Sequence, residues 1–110
     1  MGRFRRGDVI WQNLTGKMRP WLVVSNDIGN FHSERVTVVS LTTSETKMRK
    51  PLPTHCYVEY GNIRPSIVCT EEVMTIVPAY DTQLLEHLPR DIMDDVSECL
   101  RVAFDIDNRM

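Results

Sequence analysis

At 110 residues, with 42% apolar side chains and a formal net charge of −2, the chain is sized for one domain, 1–110, with a small core and much surface. That balance excludes a globally basic nucleic-acid binder, and no apolar run approaches the roughly 20 residues of a membrane-spanning helix. The charge is uneven, however: residues 1–50 hold nine Lys and Arg against four Asp and Glu, and the remainder holds four against eleven, so a net-acidic chain can carry a basic patch.

Taken in chain order, the first two thirds are punctuated every ten residues or so. Asp8 to Gln12 follows Gly7 and predicts a short strand, and Asn13-Leu14-Thr15-Gly16 a turn. Arg19 to Ser25 predicts a buried strand; Pro20 has no N–H for a ladder, which places it at the strand's start or on an edge. Asn26 to Asn30 reads as a turn or a single helical turn. Val36 to Leu41 is β-branched and mostly apolar, the pattern of a central strand. Thr42 to Lys50 reads as a polar loop, Thr54 to Glu59 as a strand, and Tyr60 to Pro65 as a turn. Ser66 to Val77 predicts one or two strands, with Glu71-Glu72 at a bulge or bend. Asp81 to His87 reads as a short helix. After Pro89 the apolar residues Ile92, Met93, Val96, Cys99, Leu100 and Ala103 recur at helical spacing, so the chain ends in an amphipathic helix laid across a small barrel or sandwich.

Cys56, Cys69 and Cys99 form no CxxC pair, and no signal peptide precedes them. They read as small buried apolar residues in a reducing cytosol. His32, His55 and His87 lack metal-ligand spacing, so no metal site or cofactor is expected. Two strand ends are chemically suggestive. Arg19 stands at the mouth of one strand, and Thr42 and Thr43 at the exit of another. A cation and a hydroxyl meeting on one rim would hold a phosphate, provided the two strands are neighbours; the plain alternative is that they are solvated or cap turns.

Arg6-Gly7-Asp8-Val9, Arg19-Pro20, Leu22 to Asp27, Leu41-Thr42-Thr43, Leu52-Pro53-Thr54-His55, Ser66 and Glu71 to Ile76 stand in an order and spacing that resembles the MazF/PemK toxins, over residues 5 to 105. The resemblance implies an SH3-like small β-barrel with a C-terminal α-helix, mostly β. It also implies a cytoplasmic homodimer without a membrane segment: an mRNA interferase toxin of a type II toxin–antitoxin system. Such a protein is a sequence-specific, metal-independent endoribonuclease that cuts single-stranded RNA to a 2′,3′-cyclic phosphate and a 5′-OH, and a cognate MazE-like antitoxin blocks it. By position the resemblance assigns the catalytic arginine to Arg19 and the catalytic threonine to Thr42, with Thr43 as the neighbouring alternative. Asn26, Asn30, Phe31, Thr43, His55 and Ser66 become candidates for RNA contact; Phe31 offers a stacking face, whereas Trp11 is expected in the core. One departure is visible. Only Asn13 to Met18 separates the first two strands, where many family members carry a longer, Gly-rich loop with a glutamate. A CcdB-like gyrase-inhibiting toxin on the same barrel, or a catalytically silent regulatory homologue, are the alternatives.

Overall fold

The computed structural model describes residues 2–107. Residue 1 and residues 108–110, which the domain expectation includes, lie outside the described residues. The order of elements is β1 (Asp8–Asn13), β2 (Met18–Val23), α1 (Asp27–His32), β3 (Val36–Thr42), α2 (Glu45–Arg49), β4 (His55–Val58), β5 (Ser66–Ile76), β6 (Gln83–His87) and α3 (Arg90–Ala103). The six strands make one antiparallel sheet in the order β4-β5-β3-β2-β1-β6.

Alternation along the strands gives the sheet two apolar faces. Val9, Leu22, Val39 and Val68 point to one face, where Met93 and Val96 of α3 and the preceding Leu88 cover them. Their neighbours Ile10, Trp21 and Val38 point to the other and pack with Phe4, Val36 and Ile76. Burial on both faces explains why β2 and β3 read as nearly continuous apolar runs. Among the described residues no helix is long and apolar enough to cross a membrane.

A break in register between β3 and β5 bends the sheet. Val39 pairs with Val73, but the next residue, Ser40, pairs with Cys69. Thr70, Glu71 and Glu72 are therefore surplus, and β5 bends there as Glu71-Glu72 suggested. The surplus carboxylates are put to use. Glu72 accepts from Ser40 Oγ at 2.9 Å and pairs with Lys47 of α2 at 3.3 Å. Glu71 accepts from Thr54 Oγ1 at 2.9 Å and meets His55 Nε2 at 2.8 Å. The bend thus anchors α2 and the entry to β4. The ends of the sheet approach each other as well: Glu86 on β6 accepts from the Asn62 backbone N–H, in the β4–β5 connection, at 3.0 Å. Gly61 beside it has φ +56°, and a Cβ there would lie 2.0 Å from the Glu86 carboxylate.

Two segments depart from the sequence reading. Asp81 to His87 contains no helix: Gln83–His87 is strand β6, paired with β1 through a shift between Val9 and Ile10. Burial along β6 does not alternate, since Gln83 and Leu84 are exposed and Leu85, Glu86 and His87 are half-buried, so the segment shows no strand pattern. The loop expected over Thr42 to Lys50 holds the five-residue helix α2, capped by Ser44 Oγ accepting from Lys47 N–H. A helix that short shows no periodicity. Over Asn26 to Asn30 the chain turns helical from Asp27, with Asn26 as N-cap, and the helix runs on to His32.

Candidate active site

Pairing between β2 and β3 ends at Trp21 opposite Ser40. Continuing the same antiparallel register would set Pro20 against Leu41 and Arg19 against Thr42. Instead the strands part, and the opening between them is a cleft of about 360 Å³ lined by Lys17, Met18, Arg19, Pro20, Leu41, Thr42, Thr43 and Ser66. The structure therefore brings Arg19, Thr42, Thr43 and Ser66 together. Pro20 helps to open the cleft, because it has no N–H to extend the ladder toward β3.

Arg19 is half-buried, and its guanidinium makes no hydrogen bond or ion pair among the described residues. Among the described residues the guanidinium's one partner is the Trp21 ring, whose centroid lies 6.0 Å from the guanidinium carbon. A fork of N–H donors standing unpaired in a cleft is available to an anion. Across the opening, Thr42 Oγ1 accepts from Ser44 N–H at 3.2 Å, which leaves the hydroxyl proton free to be donated into the cleft. Ser66 is buried and spends its proton on Arg64 O at 2.6 Å, so its oxygen remains as an acceptor. Thr43 is exposed on the rim. The walls carry two cations, Lys17 and Arg19, and no carboxylate. Here the basic bias of the first half becomes a local positive field on a net-acidic chain.

The remaining candidates lie elsewhere, each for a visible reason. Asn26, Asn30 and Phe31 sit beyond the far end of β2; Arg19 to Val23 alone spans about 13 Å of strand. Asn26 is the N-cap of α1, its Oδ1 accepting from Gly29 N–H at 2.8 Å. Asn30, expected as a base reader, is 2% exposed. Its Nδ2 donates to Ser25 O at 2.9 Å, and its Oδ1 accepts from Ser25 Oγ at 2.5 Å. Every strong handle of that amide is used inside the fold. Phe31 is exposed but packs edge-on against His32 with centroids 5.0 Å apart, away from the cleft. The His55 side chain is 3% exposed; its Nδ1 accepts from Leu52 N–H at 3.0 Å, which fixes the tautomer whose Nε2–H faces Glu71. It holds the Leu52-Pro53-Thr54 turn onto the β5 bend.

That tautomer also bears on metal binding. His55, Cys69 and Glu71 place one ligand atom each within 4.8 Å of one another. They do not fit a cation: Nε2 carries the proton that a metal would displace, and the Lys47 ammonium lies 3.7 Å from Cys69 Sγ. Burial raises all three thiols, Cys56 to about 12, so none offers a ready thiolate.

A second cleft, of about 490 Å³, adjoins the first and shares Pro20, Leu41, Thr43 and Ser66 with it. Its other walls are Trp11, Asn62, Ile63, Arg64 and Leu85. Trp11 is half-buried and faces this space rather than lying wholly in the core. Sequence reasoning missed Arg64. The signal was the recurrence of Arg-Pro: Arg64-Pro65 opens β5 as Arg19-Pro20 opens the buried part of β2.

With that geometry in hand, three comparisons are informative. The family described as PemK-like, MazF-like toxin of type II toxin-antitoxin system matches residues 5–104. Endoribonuclease EndoA of Bacillus subtilis is 35% identical over 109 residues, which covers 90% of this chain and 92% of EndoA. The solved Mycobacterium tuberculosis toxin MazF-mt6 is 28% identical and superimposes with a TM-score of 0.74, covering 94% of this chain and 100% of that one. A mycobacterial endoribonuclease solved with its cognate antitoxin shares the fold at a TM-score of 0.83 and 24% identity, covering 96% and 99% of the two chains.

Proposed function

This chain belongs to the PemK-like, MazF-like family of type II toxin–antitoxin toxins, and from that premise we propose that Arg19 and Thr42 carry its endoribonuclease chemistry. The observation that carries the reading is the unpaired Arg19 guanidinium in a carboxylate-free cleft with the Thr42 hydroxyl opposite it.

The reaction draws its nucleophile from the substrate. A ribose 2′-OH attacks the adjacent phosphorus, the 5′-oxygen of the next nucleotide leaves, and the products are a 2′,3′-cyclic phosphate and a 5′-OH. Negative charge accumulates on the non-bridging oxygens as the phosphorane forms. Arg19 answers that charge with two parallel N–H donors, and Thr42 adds a hydroxyl donor to the same group. A guanidinium carries donors only and gives up no proton readily, so the part of Arg19 is charge stabilisation. Neither residue needs a metal for this role. Strand separation beyond Trp21 and Ser40 gives the phosphate room between two rigid elements, which is the positioning that catalysis requires. The substrate is single-stranded RNA: a cleft of about 360 Å³ between two strands has room for one backbone and not for a paired duplex.

The working unit is a cytoplasmic homodimer held in check by a cognate MazE-like antitoxin. The mycobacterial structure that holds an endoribonuclease with its cognate antitoxin supports the antitoxin part of this reading through the shared fold. Incubation of purified protein with a defined single-stranded RNA in EDTA, with Arg19→Ala in parallel, tests the reading: cuts by the first and not by the second are expected.

A further inference from the structure

The larger cleft has no part in holding the phosphate, yet it opens onto the same rim. Pro20, Leu41, Thr43 and Ser66 line both spaces. Trp11 pairs with Pro20 across β1 and β2, so the indole and the rim proline share one face of the sheet. By strand alternation, Arg19 points to the other face, and the two spaces meet only where β2 and β3 part. A nucleotide whose phosphate rests on Arg19 can therefore pass its base over the Pro20–Leu41 rim.

What lies beyond that rim suits a base. Trp11, Ile63, Leu41 and Leu85 give apolar walls, and about 490 Å³ lies in the range of small-ligand pockets. Two side chains supply polarity. Arg64 is exposed, and its guanidinium makes no hydrogen bond or ion pair among the described residues. The Asn62 carboxamide is likewise unengaged, its backbone N–H being the group that Glu86 holds. The Glu86 clamp and Ser66, which donates to Arg64 O at 2.6 Å, fix the backbone on either side of these two residues.

Resting on the ribonuclease reading above, we infer that this cleft is the specificity pocket for the nucleotide adjoining the scissile phosphate, with Trp11 stacking its base and Arg64 reading its edge. Arginine offers donors only, so the edge it reads must offer acceptors. The fork matches the adjacent O6 and N7 of guanine better than any edge of adenine, where a donor sits beside N7. Guanine is the base expected there.

Two readouts test this independently. The first maps 5′-OH ends after cleavage of a random-sequence RNA pool. The second sequences what the protein retains from a random pool of 2′-deoxy oligonucleotides, which lack the nucleophile and cannot be cut. Wild type is expected to favour guanine at one position in both. Arg64→Ala is expected to lose that preference at that position alone, with other positions unchanged. Trp11→Ala is expected to weaken retention by about 10- to 100-fold, the range for loss of one stacking platform, with Trp11→Phe recovering most of it. Recovery by phenylalanine separates stacking from a general loss of packing. Uniform weakening by Arg64→Ala with an unchanged preference would make Arg64 a backbone contact and overturn the inference, as would loss of an adenine preference. A wild type that retains guanine-bearing oligonucleotides but cuts no RNA would instead overturn the ribonuclease reading and leave the pocket standing.

Discussion

Replacing Arg19 with alanine separates catalysis from folding, because the guanidinium is poorly tied to the fold. Among the described residues the guanidinium's one partner is the Trp21 ring at 6.0 Å, and a cation–π contact at a partly exposed site contributes about 0.5–1 kcal/mol. The expected loss of stability is therefore about 1 kcal/mol at most, a fall in Tm of roughly 5 °C in a domain of this size. Its effect on the reaction is much larger. Two charge-assisted hydrogen bonds at about 1.5–3 kcal/mol each give about 3–6 kcal/mol of transition-state stabilisation, or roughly 10²- to 10⁴-fold in rate. Loss of a single donor to a developing oxyanion in other enzymes falls in the same range. Arg19→Lys keeps the charge and loses the fork, and should lie between alanine and wild type. The assay is single-turnover cleavage of a labelled RNA, with thermal melts of all three proteins. An alanine variant within tenfold of wild type, or one that unfolds at room temperature, would refute this account of Arg19.

Other variants give sharper local tests. Thr42→Ala removes one hydrogen bond to a charged group and should slow cleavage about 10- to 100-fold, whereas Thr43→Ala should cost less than tenfold; the reverse order in the same assay would move the hydroxyl donor by one residue. Asn30→Ala strips a buried amide from Ser25 and should destabilise the fold by about 1–3 kcal/mol in urea titrations, with the RNA cleavage pattern unchanged. Burial alone would raise the Glu71 and Glu72 carboxyls, but hydrogen bonds outweigh it and hold both below their usual 4.5. For Glu71 the donors are its own backbone N–H, Thr54 and His55; for Glu72 they are Ser40 and Lys47, with the Lys47 charge adding to them. A depressed folded-state pKa contributes stability above the unfolded value and loses it as pH falls through the folded one. Tm should therefore drop on acidification below about pH 4.5, and Glu71→Gln with Glu72→Gln should flatten that slope. Gly61→Ala places a Cβ at φ +56° against the Glu86 carboxylate; a loss of about 1–2 kcal/mol in the same urea titrations is expected.

The strands that carry the site were legible because β-branched, apolar runs leave little choice, and α3 because its apolar residues keep helical spacing. Arg19 and Thr42 could be placed at strand ends from composition alone. That they meet across one cleft depends on the register of β2 and β3, which local pattern did not give. Asn30 shows the opposite limit. An amide in a polar turn looks available, and only the tertiary fold reveals Ser25 closing over it. Strand β6 was hidden by burial that does not alternate, and α2 by its brevity. Arg64 escaped notice because a charged residue in a turn is ordinarily solvated; what sets it apart is the neighbouring cleft, built from strands far from it in sequence.

The most direct test of the central claim is the chemistry of the cut ends. Wild-type protein in excess EDTA is given an RNA, and the same RNA with a single 2′-deoxy sugar at a mapped cleavage site. Cleavage to 2′,3′-cyclic phosphate and 5′-OH ends, lost at the deoxy position alone, is the predicted result. Cleavage across the deoxy sugar, or activity that EDTA abolishes, would contradict an account in which the RNA supplies the nucleophile and Arg19 and Thr42 supply the charge stabilisation.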